Sequence, residues 1–324
     1  MLVVAGVVPD LDYASYVGGA SAFLRLHHAA LHSVAGGAVA ACAVAGAFCA
    51  LDRKFPVKPP APIDPDGIVI QDPWVPLAFW TAAMVCAIGV LGHVLLDLAG
   101  GVGVQLLWPF YTRWFGWPLS AEFDLWIVLL LGVALILPLL FKLVNEEVGE
   151  RRKGSGRISA AIALVLVAVY LGAREELHSR AIDLLLAREY HREIPLAAGA
   201  LPASSNPLVW RGLAVTDNTI EEVEVNARPG ADFDVDRGVT HYKPGDSAAL
   251  DVAEHTDAAR RFLRYAKFPL AMVARREDGY RVEIRDLRFA SGDRGADNIV
   301  VRVDLDSGER VAEQGLRFAT DENP

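Results

Sequence analysis

The sequence predicts an α-helical polytopic membrane domain over residues 1–173 and a small soluble α+β domain over residues 174–324. Three observations predict it. The 324-residue chain is 53% hydrophobic with a mean hydropathy of +0.29, high for a soluble protein. Its apolar residues gather in the first half, in runs near the ~20 residues that a bilayer-crossing helix needs. From Arg174 onward charged residues are frequent and no long apolar run recurs.

The elements justify themselves in order. Met1 to Val8 is apolar but too short to span, and no basic stretch precedes it as in a signal peptide. It reads as a partial helix, either a stub or the tail of a longer helix that begins upstream. "SVAGGAVAACAVAGAFCAL" (residues 33–51) and "LAFWTAAMVCAIGVLGHVLLD" (77–97) are the first two full spans. "DLWIVLLLGVALILPLLFKLV" (124–144) is the third, with Pro138 as a kink. "ISAAIALVLVAVYLGA" (158–173) is the shortest and continues as a helix into "REELHSRAIDLLLAREYH". Four such runs, parted by charged loops, are hard to bury in one small globule. Cys42, Cys49 and Cys86 fall inside the spans and read as small packing residues.

Sidedness follows from the basic residues of the short loops. Arg53, Lys54 and Lys58 follow the first span; Arg151, Arg152, Lys153 and Arg157 follow the third. The loop 98–123 has Arg113 alone and the opening loop Arg25 alone. Both basic loops are therefore expected in the cytoplasm, and the loops 10–32 and 98–123 with the C-terminal domain outside. The net charge of −9, without a concentrated basic face, argues against nucleic acid as a partner.

This orientation gathers unusual residues at one membrane face. Asp10 and Asp12 follow the opening helix, His27, His28 and His32 precede the first span, and His93 and Asp97 end the second. A spacing of four puts His93 and Asp97 on one helix face. Ionisable groups at a membrane segment are costly and usually face a bundle interior, a water cavity or an ion. Each cluster alone also reads plainly: "PDLD" as a helix stop with a cap, the His–Asp pair as interfacial polarity. His28 and His32 share helical spacing, whereas His27 and His32 need a bend to converge. Their conjunction points to a metal, for which carboxylates and imidazoles suit zinc, manganese or iron. Trp108, Trp114 and Trp117 read as an aromatic belt, and Arg113 as a snorkelling side chain or a head-group contact. Glu122 and Asp124 read equally as helix-terminus carboxylates or as supports of the site. "GGVGV" (100–104) reads as a flexible turn.

"PDLDYASYVGG", "LRLHHAALHS", "GHVLLDLAGGVGVQLLWPF" and "RWFGWP" together resemble the bacterial membrane-bound metal-dependent hydrolases, inner-membrane proteins distantly related to zinc-dependent phospholipase C. That family's pattern is Pro-Asp-x-Asp, then His-Arg-Gly-x-Thr-His-Ser, then His-x3-Asp before Gly-Val-x-Leu-Leu-x-Pro-Phe. Order and spacing agree across residues 6–110, and "PASSNPLVWRGL" and "VEIRDLRF" are similar to the tail of longer members. The resemblance implies Asp10, Asp12, His27, His32, His93 and Asp97 as metal ligands, with Asp10 and Asp12 also catalytic and His28 pointing elsewhere. Two departures stand out. The family's Arg-Gly-x-Thr is His28-Ala29-Ala30-Leu31 here, without the hydroxyl. Longer members also begin with a Thr-His segment ahead of a first helix, so the resemblance implies an N-terminal truncation.

The C-terminal part reads as α+β. "RGLAVTD", "TIEEVEVNA", "YRVEIRDLRFA" and "NIVVRVDLD" are strand-like, "REDGY" centres a hairpin on Asp-Gly, and "TDAARRFLRYAKF" is an amphipathic helix capped by Thr256. His241 and His255 are expected on the surface. The whole is expected to be a metal-dependent hydrolase of the bacterial inner membrane that attacks a phospholipid-like or other interfacial ester with metal-activated water. Zinc is the expected cofactor and membrane lipid the expected partner. The alternative is a non-catalytic metal-binding membrane protein, a transporter or an envelope scaffold.

Overall fold

A computed structural model describes residues 1–56, 75–121, 123–148, 156–203, 206–231, 233–289 and 297–321. The short helix α1 (Leu2–Val7) runs into a 3-10 segment (Val8–Gly18) and helix α2 (Ala20–Leu26). Then come α3 (Val34–Lys54), α4 (Phe79–Ala99), α5 (Leu125–Val148) and α6 (Gly156–Leu186). The stretch expected as an opening loop is thus largely folded. By length and composition α3, α4 and α6 can cross a membrane, and α5 contributes a shorter apolar stretch, Leu125–Phe141.

Helices α1 and α3 both pack on α4. Their shared core is built from small side chains, among them Ala5, Ala41, Ala45, Ala82, Ala83 and Cys86. Small residues let helices approach where lipid offers no hydrophobic drive for association. The closest approach is at Gly89, where a Cβ would sit 2.5 Å from the carbonyl oxygen of Leu2 and 3.1 Å from the nitrogen of Gly6. No side chain fits there. The other faces expose Leu, Val, Ile and Trp, as lipid contact requires.

Helix α5 packs on α6. Asp124 Oδ1 accepts from the backbone N–H groups of Trp126 (3.0 Å) and Ile127 (3.3 Å), and the Tyr170 hydroxyl donates to its Oδ2 at 3.0 Å. Asp124 is therefore a helix-terminus carboxylate. Glu122, Lys58, Arg151, Arg152 and Lys153 lie outside the described residues.

Helix α6 passes unbroken through the expected boundary at residue 173. Its last turns supply Ala181 and Leu185 to a core with Tyr190, Trp210, Val223 and Val225. The first sheet, β1 (Ala197–Pro202), β2 (Val209–Val215), β3 (Thr219–Asn226) and β4 (Val239–Tyr242), is antiparallel in that order. Two short helices, α7 (Ala248–Glu254) and α8 (Asp257–Leu263), cover a second antiparallel sheet. It is formed by β5 (Pro269–Arg276), β6 (Gly279–Asp286), β7 (Ile299–Asp306) and β8 (Val311–Phe318).

Strands β2, β3, β6 and β7 are the ones whose sequence signals were clear. β1, β4 and β8 are not marked by the sequence, and β5 only as the partner in the "REDGY" hairpin; "AAGALP" and "VAEQGLRF" lack β-branched alternation and draw their pairing from neighbours. Thr256 caps α8, accepting from the Ala259 N–H at 3.3 Å, but that helix ends at Leu263, short of the stretch expected. In the β5–β6 hairpin Gly279 pairs with Arg276, so the turn is Glu277–Asp278 rather than Asp-Gly. Trp114 also departs from expectation. It is buried with an edge-to-face contact to Tyr265, ring centroids 4.9 Å apart, so it joins the C-terminal core and not an interfacial belt.

Candidate metal centre

Three chain segments deliver the candidate ligands to one point. Pro9 opens the 3-10 segment that carries Asp10 and Asp12. Ser33 caps α3, its hydroxyl accepting from the Gly36 N–H at 3.0 Å, which fixes His32 just ahead of the helix. His28 adopts a left-handed φ of 54°, an uncommon conformation for a side-chain-bearing residue, and this supplies the bend between His27 and His32. His93 and Asp97 sit one turn apart near the end of α4.

The donor atoms of four side chains converge. His32 Nε2 lies 3.2 Å from His93 Nε2 and 3.2 Å from Asp97 Oδ2. His93 Nε2 lies 3.1 Å from Asp97 Oδ2 and 3.4 Å from Asp10 Oδ1. Zinc bonds of ~2.0–2.1 Å in a tetrahedron separate neighbouring donors by roughly 3.3–3.4 Å. The spacings among His32, His93 and Asp97 match those of ligands around one ion, and Asp10 reaches His93 from the rim. Asp97 Oδ2 gives a second indication, because it is buried and accepts no hydrogen bond of proper geometry despite its two imidazole neighbours. A buried carboxylate oxygen left this way is costly unless a cation satisfies it. Asp10, His32 and His93 can offer ligand atoms within 4.8 Å of one another. Their mixture of nitrogen and oxygen donors suits zinc, manganese or iron.

Asp12 stands behind this group. Its Oδ1 accepts from His27 Nδ1 at 2.7 Å, and its Oδ2 accepts from His32 Nδ1 at 2.9 Å and from the His28 backbone N–H at 3.1 Å. A carboxylate that holds Nδ1–H fixes the imidazole and leaves Nε2 as the free lone pair. Asp12 thus aims His32. His27, held by the other oxygen, rests against Phe23 with ring centroids 4.3 Å apart and against His28 at 4.0 Å.

His28 does not point elsewhere. Its Nδ1 donates to the Gly103 carbonyl at 3.1 Å, and the ring lies beside that of His32, centroids 4.7 Å apart. With His32 and Asp97 it forms a second group able to offer ligand atoms within 4.8 Å of one another. Its helical spacing from His32 was the available signal. Nothing in the sequence marks the Gly103 carbonyl that sets its tautomer. In the 100–104 segment Gly103 has a φ of 88°, Val104 pairs with Phe115, and Gly103 has no room for a side chain against the Phe115 carbonyl.

Electrostatics separate the two imidazoles outside the spans. Burial would depress His32, but its hydrogen bond to Asp12 and the negative charge of nearby Asp97 outweigh it and raise its pKa to about 9. The same carboxylates that favour a proton there favour a cation. Burial, reinforced by His27 and His32, depresses His28 to about 3, which keeps it neutral and able to ligate. Burial would raise Asp12, but the hydrogen bonds from His27 and His32 win and hold it below the usual carboxylate range. In the C-terminal domain His241 pairs with Glu222 at 3.1 Å and His255 is exposed; neither joins a candidate metal group among the described residues.

The helices that carry the centre match the family model described as the YdjM inner membrane protein, over residues 1–178. No curated protein and no solved structure matches the chain. The chain belongs to the YdjM inner membrane protein family.

Proposed function

We propose that this inner-membrane protein of the YdjM family is a metal-dependent hydrolase working at the outer membrane surface, on a phospholipid-like or other interfacial ester. The observation that carries the reading is the convergence of His32, His93, Asp97 and Asp10 at ion-ligand spacing. A bound zinc, manganese or iron ion would polarise the scissile group and lower the pKa of a water to near 7. His32, His93 and Asp97 hold that cation, His28 beside them offers a further donor, and Asp12 keeps His32 in the ligating tautomer. Both Asp12 oxygens are engaged, which removes it from proton transfer. Asp10 reaches the centre through Oδ1, and because its side chain is 55% exposed at the rim its other oxygen serves as the general base.

In this reading α3, α4, α5 and α6 are four crossings. The centre and the C-terminal domain then lie on the extracytoplasmic side, because the basic residues cluster at the opposite ends of the helices. Among the described residues α3 is apolar from Val34 to Leu51 and α4 carries only Thr81 ahead of His93, which leaves no polar path through the bilayer between them. That favours catalysis over transport.

The test is metal analysis of the purified protein beside His93→Ala, together with hydrolysis of phosphoester lipids in proteoliposomes. About one ion per chain, lost in His93→Ala along with hydrolysis, is the expected result. Metal without hydrolysis of any lipid ester would turn the reading to a non-catalytic metal protein. No metal in either protein would overturn it.

A further inference from the structure

We propose that Arg288, in the "VEIRDLRF" segment of the C-terminal domain, is a positioning residue of the metal centre that acts through loop 101–103 on His28. The inference rests on the metal-centre reading above. Arg288 is 8% exposed, and its Nε donates to Asp286 Oδ2 at 2.8 Å. Asp286, itself 1% exposed, is fixed by the backbone N–H groups of Lys267 (2.9 Å), Phe268 (3.2 Å) and Arg288 (2.9 Å). The guanidinium lies over the rings of Tyr265 and Phe289, 4.7 and 5.3 Å from their centroids, and donates to the Tyr265 carbonyl at 3.1 Å. This much is an anchored buried cation.

Its remaining hydrogen bonds leave the domain. Nη1 donates to the carbonyls of Gly101 (2.8 Å) and Val102 (3.0 Å), in the loop that follows α4 only a few residues after Asp97. The next carbonyl, Gly103, accepts from His28 Nδ1. A carbonyl can only accept, so it forces the proton onto Nδ1 and leaves the Nε2 lone pair as what His28 can offer to its group with His32 and Asp97. The loop cannot easily settle otherwise, because Gly103 is left-handed and a Cβ there would lie 2.9 Å from the Phe115 carbonyl oxygen. Arg211 of the first sheet donates to the carbonyls of Leu287 and Arg288, so both sheets hold the segment that holds the loop. A lysine could supply the charge but not the planar fork that reaches Asp286 and two successive carbonyls together.

The experiment uses the full chain in detergent or nanodiscs and measures zinc affinity by chelator competition. Arg288→Lys should weaken zinc binding about 10-fold or more, the usual consequence of losing an outer support of a ligand. In a His28→Ala background the same substitution should change affinity less than about twofold, because the residue through which it acts is gone. Gly103→Ala moves the same carbonyl without disturbing the buried charge, and should show the same loss and the same dependence on His28. It keeps the test decisive if Arg288→Lys fails to fold. Equal losses with and without His28, or a folded Gly103→Ala protein of full affinity, would overturn the brace. So would an unchanged Arg288→Lys affinity beside a wild type whose zinc binding needs His93. A wild type that holds no zinc would instead overturn the metal centre itself.

Discussion

Asp12 grips His32 by the nitrogen that faces away from the cluster: the Nδ1–Oδ2 distance is 2.9 Å, and Nε2 is turned to His93 and Asp97. Asp12 is therefore predicted to tune metal binding and not to supply a ligand. Asp12→Asn should weaken zinc affinity about 10–100-fold, whereas His93→Ala should abolish binding at comparable zinc. Titration with a competing chelator separates the two. Complete loss in both would make Asp12 a ligand.

The metal-free protein should be most stable near pH 6–7, and the signs follow from two histidines. His28 titrates at about 3 when folded against 6.5 unfolded, so the unfolded chain binds more protons between those values and stability falls as pH drops through them. His32 titrates at about 9 when folded, so its contribution is present below 6.5 and lost as pH rises through 9. Asp12 adds a further loss at the acid end, since its lowered pKa stabilises only above the ordinary carboxylate range. Thermal melts across pH 4–10 in chelator would show the dome. Saturating zinc should remove the alkaline decline, because the ion replaces the proton on His32. A flat profile would show that these groups are not coupled to folding.

Gly89→Ala should release Asp10 from the centre. The added Cβ would meet the Leu2 carbonyl oxygen at 2.5 Å, and α1, which leads into Asp10, must move away from α4. Overpacking of this kind costs about 1–3 kcal/mol. The expected outcome is weaker metal binding with the β-sheet circular dichroism signal unchanged, since both sheets lie in a separate core. Unchanged affinity would show that α1 accommodates the methyl group without moving Asp10.

A reporter fused after Pro324 should behave as extracytoplasmic, and one inserted between Arg151 and Arg157 as cytoplasmic. The reverse pattern would move the metal centre to the cytoplasmic face and exclude a substrate from the outer leaflet.

Hydropathy, the basic loops and helical spacing marked the membrane segments and placed Asp10, Asp12, His27, His32, His93 and Asp97 at one expected membrane face. Apolar run length and an i, i+4 repeat are local properties that the chain carries wherever it is placed. The strong strands β2, β3, β6 and β7 were legible for the same reason. β1 and β8 were not, because a weak strand forms where a neighbour offers an unpaired edge. Tertiary structure decided the rest. It drew Trp114 into the C-terminal core through Tyr265, far along the chain. It also sorted the histidines: His32 faces the converging donors because Asp12 holds its Nδ1, His28 stands beside them because Gly103 holds its Nδ1, and His27 turns toward Phe23. Each of those partners lies fifteen or more residues away in sequence, except Phe23, and one is a backbone carbonyl. Residue type and spacing place an imidazole on a face, but which nitrogen keeps its lone pair depends on what the other one meets after folding.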